Sequence, residues 1–388
     1  MSIFKKTLSC AVLAALGTCA LAGCGRQDAA NEAAASSEAA AAIAESIAES
    51  TAATEQATIP ETSETQPAEP ETAASEASSV DASTPYGQHG ALHVENGKLT
   101  DENGNTVHLY GMSTHGIAWF PQYINYNSFR TLRDDWNTNC IRLAMYTAEY
   151  GGYCAGGDKE QLKQLVKDGV SYATELGMYV IVDWHILSDC DPNQNKDEAI
   201  AFFREMSEAF ADNDNVLYEI CNEPNGGTSW DSIKSYAEEV IPVIREQKPD
   251  AVILVGTPTW SQEIDKAAAS PLTFDNVMYT LHFYAGTHKD DLRNRLETCA
   301  QNGLPVFVSE FGMCDASGNG ANDFDSTTKW LDLLNKYQIS FCCWNLANKD
   351  ESSSVFKAAS TTLSDWTDVD FNESGRWIRD YFRGMPQK

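Results

Sequence analysis

Two glutamates of this 388-residue chain stand in short polar motifs that directly follow apolar runs. Glu223 lies in Ile-Cys-Asn-Glu-Pro and Glu310 lies in Val-Ser-Glu-Phe-Gly. Two carboxyl groups can divide acid/base and nucleophilic chemistry at one pH when their surroundings keep one protonated and the other ionised. Because the chain has 56 acidic residues, a single glutamate is more often part of a surface ion pair. The chemistry therefore depends on the elements that bring this pair together.

Short runs rich in β-branched and aromatic residues alternate with longer amphipathic stretches along most of the chain. Most of the runs are apolar on both faces, which is typical of parallel strands covered by helices. They cover residues 107–112, 140–146, 179–184, 216–221, 252–256, 277–282, 305–310 and 339–344. Eight such units in about 300 residues favour a closed barrel over an open sheet. The sequence therefore predicts an α/β fold, a (β/α)8 TIM barrel, over residues 84–388.

Polar and aromatic residues recur where these predicted strands end. They are Ser113, Thr114, His115, Arg142, Tyr146, Asp183, Trp184, His185, Asn222, Glu223, Trp260, His282, Phe283, Tyr284, Glu310, Trp344 and Asn345. Active sites of TIM barrels lie at the C-terminal ends of the strands, so this recurrence indicates one shared site. Strands four and seven face each other across such a barrel. Glu223 and Glu310 can therefore approach one bond from opposite sides.

Several longer segments resemble glycoside hydrolase family 5, and in particular its bacterial endo-β-1,4-glucanase branch. The resemblance covers residues 84–388 and departs at Phe311, where many relatives have Trp. Besides the two glutamate motifs, it is carried by Gly-Met-Ser-Thr-His-Gly (111–116), Arg-Leu-Ala-Met-Tyr (142–146), Asp-Trp-His-Ile-Leu-Ser-Asp (183–189) and Ala-Asn-Lys-Asp-Glu-Ser-Ser (347–353). The family implies a cellulase that cleaves internal β-1,4-glucosidic bonds of cellulose or related β-glucans by retaining double displacement, without a metal or cofactor.

The resemblance also implies roles for individual residues. Glu223 is expected to be the acid/base and Glu310 the nucleophile. Arg142 and Tyr284 are expected to contact Glu310, and Asn222 is expected to bind the 2-hydroxyl of the sugar. The supporting histidines of the family correspond to His185 and His282.

Sugar rings have apolar faces, so a groove that binds glucan needs aromatic platforms as well as hydrogen bonds. The resemblance places Trp344 beside the cleavage point and Trp119 and Trp260 farther along the groove. An open groove with several platforms favours internal cleavage. The remaining substrate contacts implied by the family are His115, Tyr146, Lys349 and Glu351. We expect Trp330 and Trp366 to be core residues.

Other interpretations use the same residues differently. A zinc hydrolase on the same barrel explains His115, Asp183, His185 and His282 as ligands but leaves the two glutamates without a role. A catalytically inactive surface protein that captures glucan is the other alternative. Within the enzyme interpretation, mixed-linkage β-glucan, xyloglucan and mannan stay open as substrates.

The N-terminus indicates export. Lys5 and Lys6 precede an apolar run, residues 8–21, that is too short to span a bilayer as a mature helix. The run ends in Leu-Ala-Gly-Cys, which resembles a bacterial lipobox with Cys24 as the lipidated residue. The sequence predicts a lipoprotein signal peptide at 1–23, and an ordinary secretory signal is the alternative.

Residues 24–83 are mostly Ala, Ser, Thr, Glu and Pro, which predicts a disordered acidic tether. Together with the lipidated cysteine, this tether predicts an extracellular, cell-surface protein.

The net charge limits the kinds of molecule that the protein can bind, and the cysteine spacing limits its disulfides. From Ser83 onward the chain has 44 acidic and 24 basic residues, a formal net charge of −20, which disfavours nucleic acid as a partner. We expect a monomer that binds a neutral β-glucan and contacts membrane only through the lipid on Cys24. The eight cysteines after Cys24 include no Cys-x-x-Cys pair. They are expected to be structural thiols or to form one or two disulfides.

Overall fold

Eight parallel strands close into a barrel in the computed structural model, which describes residues 81–386. The strands in chain order are β1 (His93–Glu95), β2 (Lys98–Thr100), β3 (Tyr110–Thr114), β4 (Cys140–Tyr146), β5 (Tyr179–His185), β6 (Val216–Glu219), β7 (Ile253–Val255), β8 (Val277–Thr280), β9 (Phe283–Tyr284), β10 (Val306–Gly312) and β11 (Phe341–Leu346). The predicted signal peptide, and the predicted tether up to residue 80, lie outside the described residues.

Most helices follow a barrel strand and cover the outer face of the barrel, whereas the first helix precedes all the strands. They are α1 (Pro85–His89), α2 (Tyr126–Asp134), α3 (Lys159–Glu175), α4 (Lys196–Ala209), α5 (Trp230–Arg245), α6 (Pro258–Ser261), α7 (Ile264–Ala269), α8 (Asp290–Gln301), α9 (Phe324–Tyr337) and α10 (Glu373–Arg383). Short 3-10 turns lie at Pro121–Tyr123 and Pro192–Asn195. The stripe Ala199, Phe202, Phe203 and Met206 of α4 is buried, as its helical spacing predicts.

The pairing of the strands confirms the predicted (β/α)8 barrel. From β3 to β8 each strand pairs in parallel with the next, β8 pairs with β10, β10 pairs with β11, and β11 returns to β3 with Phe341 opposite Tyr110. The sixth barrel strand is interrupted, so β8 and β9 both pair with β10. Every barrel strand except the two-residue β9 is buried along its whole length, which explains why these strands appear in the sequence as continuous apolar runs.

The first barrel strand begins three residues later than the apolar run predicts. The N–H of Val107 donates to the carbonyl of Leu99, and the N–H of Leu109 donates to the Ser340 hydroxyl. These residues therefore belong to the closure of the barrel floor. The antiparallel hairpin of β1 and β2 was not predicted from the sequence. It contributes Leu99 to the same apolar cluster as the first residues of several barrel strands.

The eight described cysteines are all free thiols, so the structure contains no disulfide among residues 81–386. Trp330 and Trp366 are buried in the core, as predicted. Within the described part of the chain, no helix has the length and apolar character needed to cross a membrane.

Candidate active site

Arg142 is the central charged residue at the C-terminal side of the barrel. It is fully buried on β4 and donates hydrogen bonds to carboxylates from other strands. Its Nε lies 2.7 Å from Glu219 Oε2, its Nη1 3.2 Å from Glu310 Oε2, and its Nη2 2.9 Å from Asp183 Oδ2. Nη2 also lies 2.7 Å from Asn222 Oδ1. One guanidinium therefore orients β5, β6 and β10 at the same depth in the barrel.

Glu310 receives a donor on each carboxylate oxygen. Arg142 Nη1 donates to Oε2, and the Tyr284 hydroxyl donates to Oε1 at 2.8 Å. Burial and the neighbouring carboxylate of Glu310 raise the pKa of Tyr284, so its phenol keeps its proton and remains a donor. The carboxylate of Glu310 is thus held in one orientation beside a permanent positive charge.

Glu223 lies in a different setting, just beyond the end of β6. Its carboxylate Oε1 lies 3.0 Å from Nδ1 of His282, and its described ion pairs include no arginine or lysine. A carboxylate oxygen of Glu223, a ring nitrogen of His282 and a carboxylate oxygen of Glu310 all lie within 4.8 Å of one another. The two glutamates predicted from the sequence therefore do meet, one beside an arginine and the other beside a histidine.

His185 is held as a neutral imidazole. Its Nδ1 lies 2.6 Å from Asp183 Oδ2, and its Nε2 lies 3.2 Å from the Asn222 amide nitrogen, which is a donor. Burial, with the nearby charge of Arg142, lowers the pKa of His185 to about 3. Both N–H groups of Asn222 have partners, because the amide also donates to the carbonyl of Ile186 at 3.1 Å.

His282 has the opposite environment. Its Nε2 lies 2.9 Å from the Ser309 hydroxyl oxygen, and that hydroxyl donates to Glu219 Oε1 at 2.7 Å. Burial disfavours its charged form, but the hydrogen bonds toward Glu219 and Glu223 outweigh burial and raise the pKa of His282 to about 9. Burial also disfavours ionised Glu219, but Arg142 and His282 outweigh it and lower the pKa of Glu219 to about 2.

Aromatic side chains flank the glutamates. Trp344 is 5% exposed and stacks on His185, with ring centroids 5.3 Å apart. Tyr146 lies between His185 and Trp119, and its ring centroid is 4.1 Å from that of His185 and 4.6 Å from that of Trp119. Trp260 is 46% exposed and lies on the side of Glu223, because its backbone N–H donates to the carbonyl of Pro224 at 3.0 Å. The predicted platforms thus stand beside both parts of the site.

A polar cluster lies beyond Trp344. Lys349 Nζ is 2.7 Å from Glu351 Oε2, and Asn345 and Ser353 donate to Glu351 Oε1 at 3.1 and 2.8 Å. His115 Nε2 lies 3.7 Å from the same oxygen. Burial, then the charge of Lys349, lowers the pKa of His115. All the residues predicted to bind substrate on this side therefore occupy one connected region.

No sequence motif indicated Glu219 or the role of Ser309, and the one role assigned to Asp183 from the sequence was that of a zinc ligand. Glu219 stands within an apolar run and is the last residue of β6. The signal that could have drawn attention to it is an ionisable side chain inside a run that is otherwise apolar on both faces, although its orientation follows only from the register of the strand.

The donors nearest the two glutamates already have protein partners. One ligand atom each from Glu223, His282 and Glu310 lies within 4.8 Å of the others, but Glu223 and His282 face each other, and Glu310 receives donors from Arg142 and Tyr284. Among the described residues, the alternative set that includes His115 and Asp183 does not form a group close enough to hold an ion. Both ring nitrogens of His185 already have other partners.

Comparison with known proteins identifies the family. The family model described as Cellulase (glycosyl hydrolase family 5) matches residues 100–350. The chain belongs to glycosyl hydrolase family 5. The matched residues contain all eight barrel strands and both glutamates, so the resemblance inferred from the sequence motifs is confirmed.

Two bacterial proteins named endoglucanase are similar over most of this chain. Endoglucanase A of Butyrivibrio fibrisolvens is 50% identical over 295 residues, which make up 75% of this chain and 68% of that protein. An endoglucanase of Clostridium saccharobutylicum is 46% identical over 306 residues, which make up 78% of this chain and 67% of that protein.

A solved structure of the cellulase family has the same fold. It is a variant of the catalytic domain of the Thermobifida fusca endoglucanase Cel5A in complex with cellotetraose. It has a TM-score of 0.74 and 41% sequence identity, and the match covers 78% of this chain and 100% of that chain.

Proposed function

We propose that this chain is an endo-β-1,4-glucanase that hydrolyses internal bonds of cellulose or a related β-glucan with retention of configuration. The observation that carries the proposal is the approach of Glu223 and Glu310 to within 4.8 Å between carboxylate oxygens. Retaining glycosidases separate their carboxyl groups by about 5 to 5.5 Å, whereas inverting enzymes need about 6.5 to 9.5 Å to admit a water molecule. The relatives named endoglucanase and the structural neighbour with cellotetraose support the same substrate class.

In the first step Glu310 attacks the anomeric carbon while Glu223 protonates the leaving oxygen. Arg142 and Tyr284 direct the two oxygens of Glu310, so that the nucleophile needs no reorganisation before attack. The pair forms one glycosyl ester bond and breaks one glycosidic bond. The leaving chain departs with the proton of Glu223.

In the second step Glu223 removes a proton from water, and the resulting hydroxide attacks the glycosyl ester and releases Glu310. Asn222 precedes Glu223 in the chain and accepts from Arg142, the guanidinium that also donates to Glu310, so it is suited to bind the sugar 2-hydroxyl. Its longest contact is the 3.2 Å bond to His185, and we infer that the sugar hydroxyl takes over this N–H. A hydrogen bond to the 2-hydroxyl strengthens as the oxocarbenium-like transition state forms.

Aromatic platforms on both sides of the two glutamates favour binding of the middle of a glucan chain. Trp119, Tyr146 and Trp344 lie on one side and Trp260 on the other. Lys349 and Glu351 add polar contacts beyond Trp344. A substrate that spans both sides is cleaved internally.

The test compares the wild type with Glu310→Gln and with the surface control Glu239→Gln on carboxymethylcellulose, mixed-linkage β-glucan, xyloglucan and mannan. On a β-1,4-glucan we expect the wild type to lower the viscosity strongly for each reducing end that it forms. Glu310→Gln should lose this activity, and Glu239→Gln should keep it. A wild type that releases only small sugars from chain ends would contradict internal cleavage. Full activity of Glu310→Gln would contradict its assignment.

We also propose that residues 24–83 tether the enzyme to a membrane through lipid on Cys24 and that the enzyme acts as a monomer. The lipobox-like Leu-Ala-Gly-Cys and the Ala, Ser, Thr, Glu and Pro composition support the tether. A single chain supplies every residue of the proposed site, which supports the monomer. Fatty-acid labelling should be lost in Cys24→Ala, and labelling of that variant would contradict the anchor. Light scattering should give the mass of one chain.

A further inference from the structure

We propose that Ser309 and Glu219 are positioning residues that determine which nitrogen of His282 carries a hydrogen, so that His282 and Glu223 together store the proton delivered to the leaving group. This inference deepens the proposed function and rests on it. Its basis is a continuous chain of contacts, Glu219 to Ser309 at 2.7 Å, Ser309 to His282 at 2.9 Å, and His282 to Glu223 at 3.0 Å.

The Ser309 hydroxyl has one hydrogen, and its use determines the tautomer of His282. Glu219 lies against Arg142 and is ionised, so it can only accept, and the hydrogen of Ser309 is directed to it. The Ser309 oxygen must then accept a hydrogen from Nε2 of His282. Neutral His282 is therefore the Nε2–H tautomer, and its Nδ1 faces Glu223 without a hydrogen.

Two acceptor atoms at 3.0 Å repel each other unless a proton lies between them. Nδ1 of His282 and Oε1 of Glu223 are such a pair. One proton between them satisfies both atoms, either as a neutral carboxyl group and a neutral imidazole or as a carboxylate and an imidazolium. The pair thus holds one transferable proton in a nearly buried position, where it is shielded from exchange with solvent.

The charges around His282 favour keeping this proton. The acidic groups that face it are Glu219, Glu223, Glu310 and Asp183, and burial raises the pKa of Asp183. The positive or titratable groups are Arg142 and His185. Acidic groups thus outnumber basic ones. The raised pKa of His282, about 9, agrees with a pair that stays protonated at neutral pH.

The proton is balanced over one catalytic cycle. When the glycosidic bond breaks, the shared proton moves to the leaving oxygen, and Glu223 and a bare Nδ1 then face each other. Their repulsion favours the return of a proton from the water of the second step. The proton taken from that water restores the pair, so the relay neither gains nor loses a proton.

The test is the pH dependence of kcat/KM on cellopentaose for Ser309→Ala and Ser309→Thr. Without the hydroxyl, neutral His282 is free to carry its hydrogen on Nδ1, and the pair loses its transferable proton at lower pH. We expect the alkaline limb of Ser309→Ala to move down by about one pH unit, which is about a tenfold loss on that limb. Ser309→Thr, which retains the hydroxyl, should keep the wild-type profile.

Ser340→Ala is the matched control. Ser340 is also a buried barrel serine, but its hydroxyl accepts from Leu109 at the opposite end of the barrel. It should lose stability and keep the wild-type pH profile. An unshifted limb in Ser309→Ala, or an equal shift in Ser340→Ala, would overturn the relay.

Nitrogen NMR of the wild type tests the relay without relying on the folding of a variant. With His282 assigned by its absence in His282→Asn, the relay requires a hydrogen on Nε2 at every pH at which the enzyme is folded. A neutral His282 with its hydrogen on Nδ1 would overturn it. If the wild type fails to cleave any β-1,4-glucan, the proposed function fails. If it cleaves normally with the wrong tautomer, only the relay fails.

Discussion

The two glutamates differ in what surrounds them more than in their own geometry. Glu310 has Arg142 on one oxygen and Tyr284 on the other, whereas Glu223 has a histidine that can share its proton. The first setting suits a group that must stay charged for attack, and the second suits one that must give and regain a proton. The division of chemistry follows from these neighbours.

Glu223→Gln tests this division at the level of one residue. It should lower kcat/KM on cellopentaose by about 10²- to 10⁴-fold, the usual contribution of a general acid. On dinitrophenyl β-cellobioside, whose leaving group needs no proton, kcat/KM should fall far less. Glu310→Gln, as the comparison, should lose activity on both. Equal losses on both substrates for Glu223→Gln would show that it is not the acid.

Much of the site could be predicted from the sequence, since strand ends in a barrel converge. Glu223, Glu310 and Arg142 were found because each ends or interrupts an apolar run. Glu219 was not found, since a single carboxylate within a strand has no local mark that distinguishes inward from outward orientation until the register is known. The 5% exposure of Trp344 likewise depends on the packing of His185 and Tyr146, which sequence does not show.

At the scale of elements, Arg142 connects β4 to β5, β6 and β10 through three carboxylates. Arg142→Met leaves those buried charges without compensation and should lower the free energy of unfolding by about 3–5 kcal/mol in urea denaturation. Arg130 pairs with Asp365 on the surface, with a side chain 38% exposed. Arg130→Met should cost less than about 1 kcal/mol. Similar losses for both variants would contradict the central role of Arg142.

Gly111 permits the close approach of β3 and β4. A Cβ at this position would lie 1.8 Å from the carbonyl oxygen of Cys140, so a side chain requires the two strands to separate. Gly111→Ala should lose at least about 3 kcal/mol of stability, at the upper end of the range for overpacking. Gly384, at the end of α10, is the control. Its φ is −81°, and a Cβ added there would have no contact shorter than 3.3 Å. Its alanine variant should change stability by less than about 0.5 kcal/mol.

Among the elements, the barrel strands could be predicted and the β1–β2 hairpin could not. The barrel strands are buried on both faces and so leave an apolar run. The hairpin strands have three residues each and include His93, Glu95 and Lys98, a composition shared with loops. The hairpin is positioned by Leu99, which packs in the apolar cluster at the floor of the barrel.

For the whole molecule, two buried histidines should place the stability maximum near neutral pH. In the folded protein the pKa of His185 is about 3, so this histidine stays neutral at acidic pH. In the unfolded chain the same histidine has its ordinary pKa of 6.5 and binds a proton below that pH. Acidification therefore favours the unfolded chain and lowers stability. Folded His282, with a pKa of about 9, retains a proton that the unfolded chain loses above 6.5. Stability therefore also falls as the pH rises toward 9.

Urea denaturation at about pH 5, about 6.5 and about 8 measures this effect, and each histidine contributes up to about 1.4 kcal/mol per pH unit. We expect the highest stability at the middle value. His185→Gln should reduce the loss of stability on the acid side, to which His115 and His288 also contribute because burial lowers their pKa values, and His282→Gln should flatten the alkaline side. A stability that rises steadily across the range would contradict the assigned protonation states.

The central claim is that Glu223 and Glu310 act as acid/base and nucleophile in a double displacement. Proton NMR during the first minutes of cellopentaose hydrolysis tests it most directly, since it shows the anomer of the new reducing end before mutarotation. Two inversions at the anomeric carbon predict that the β-anomer appears first and the α-anomer only later. Initial appearance of the α-anomer would mean a single displacement by water and would contradict the account.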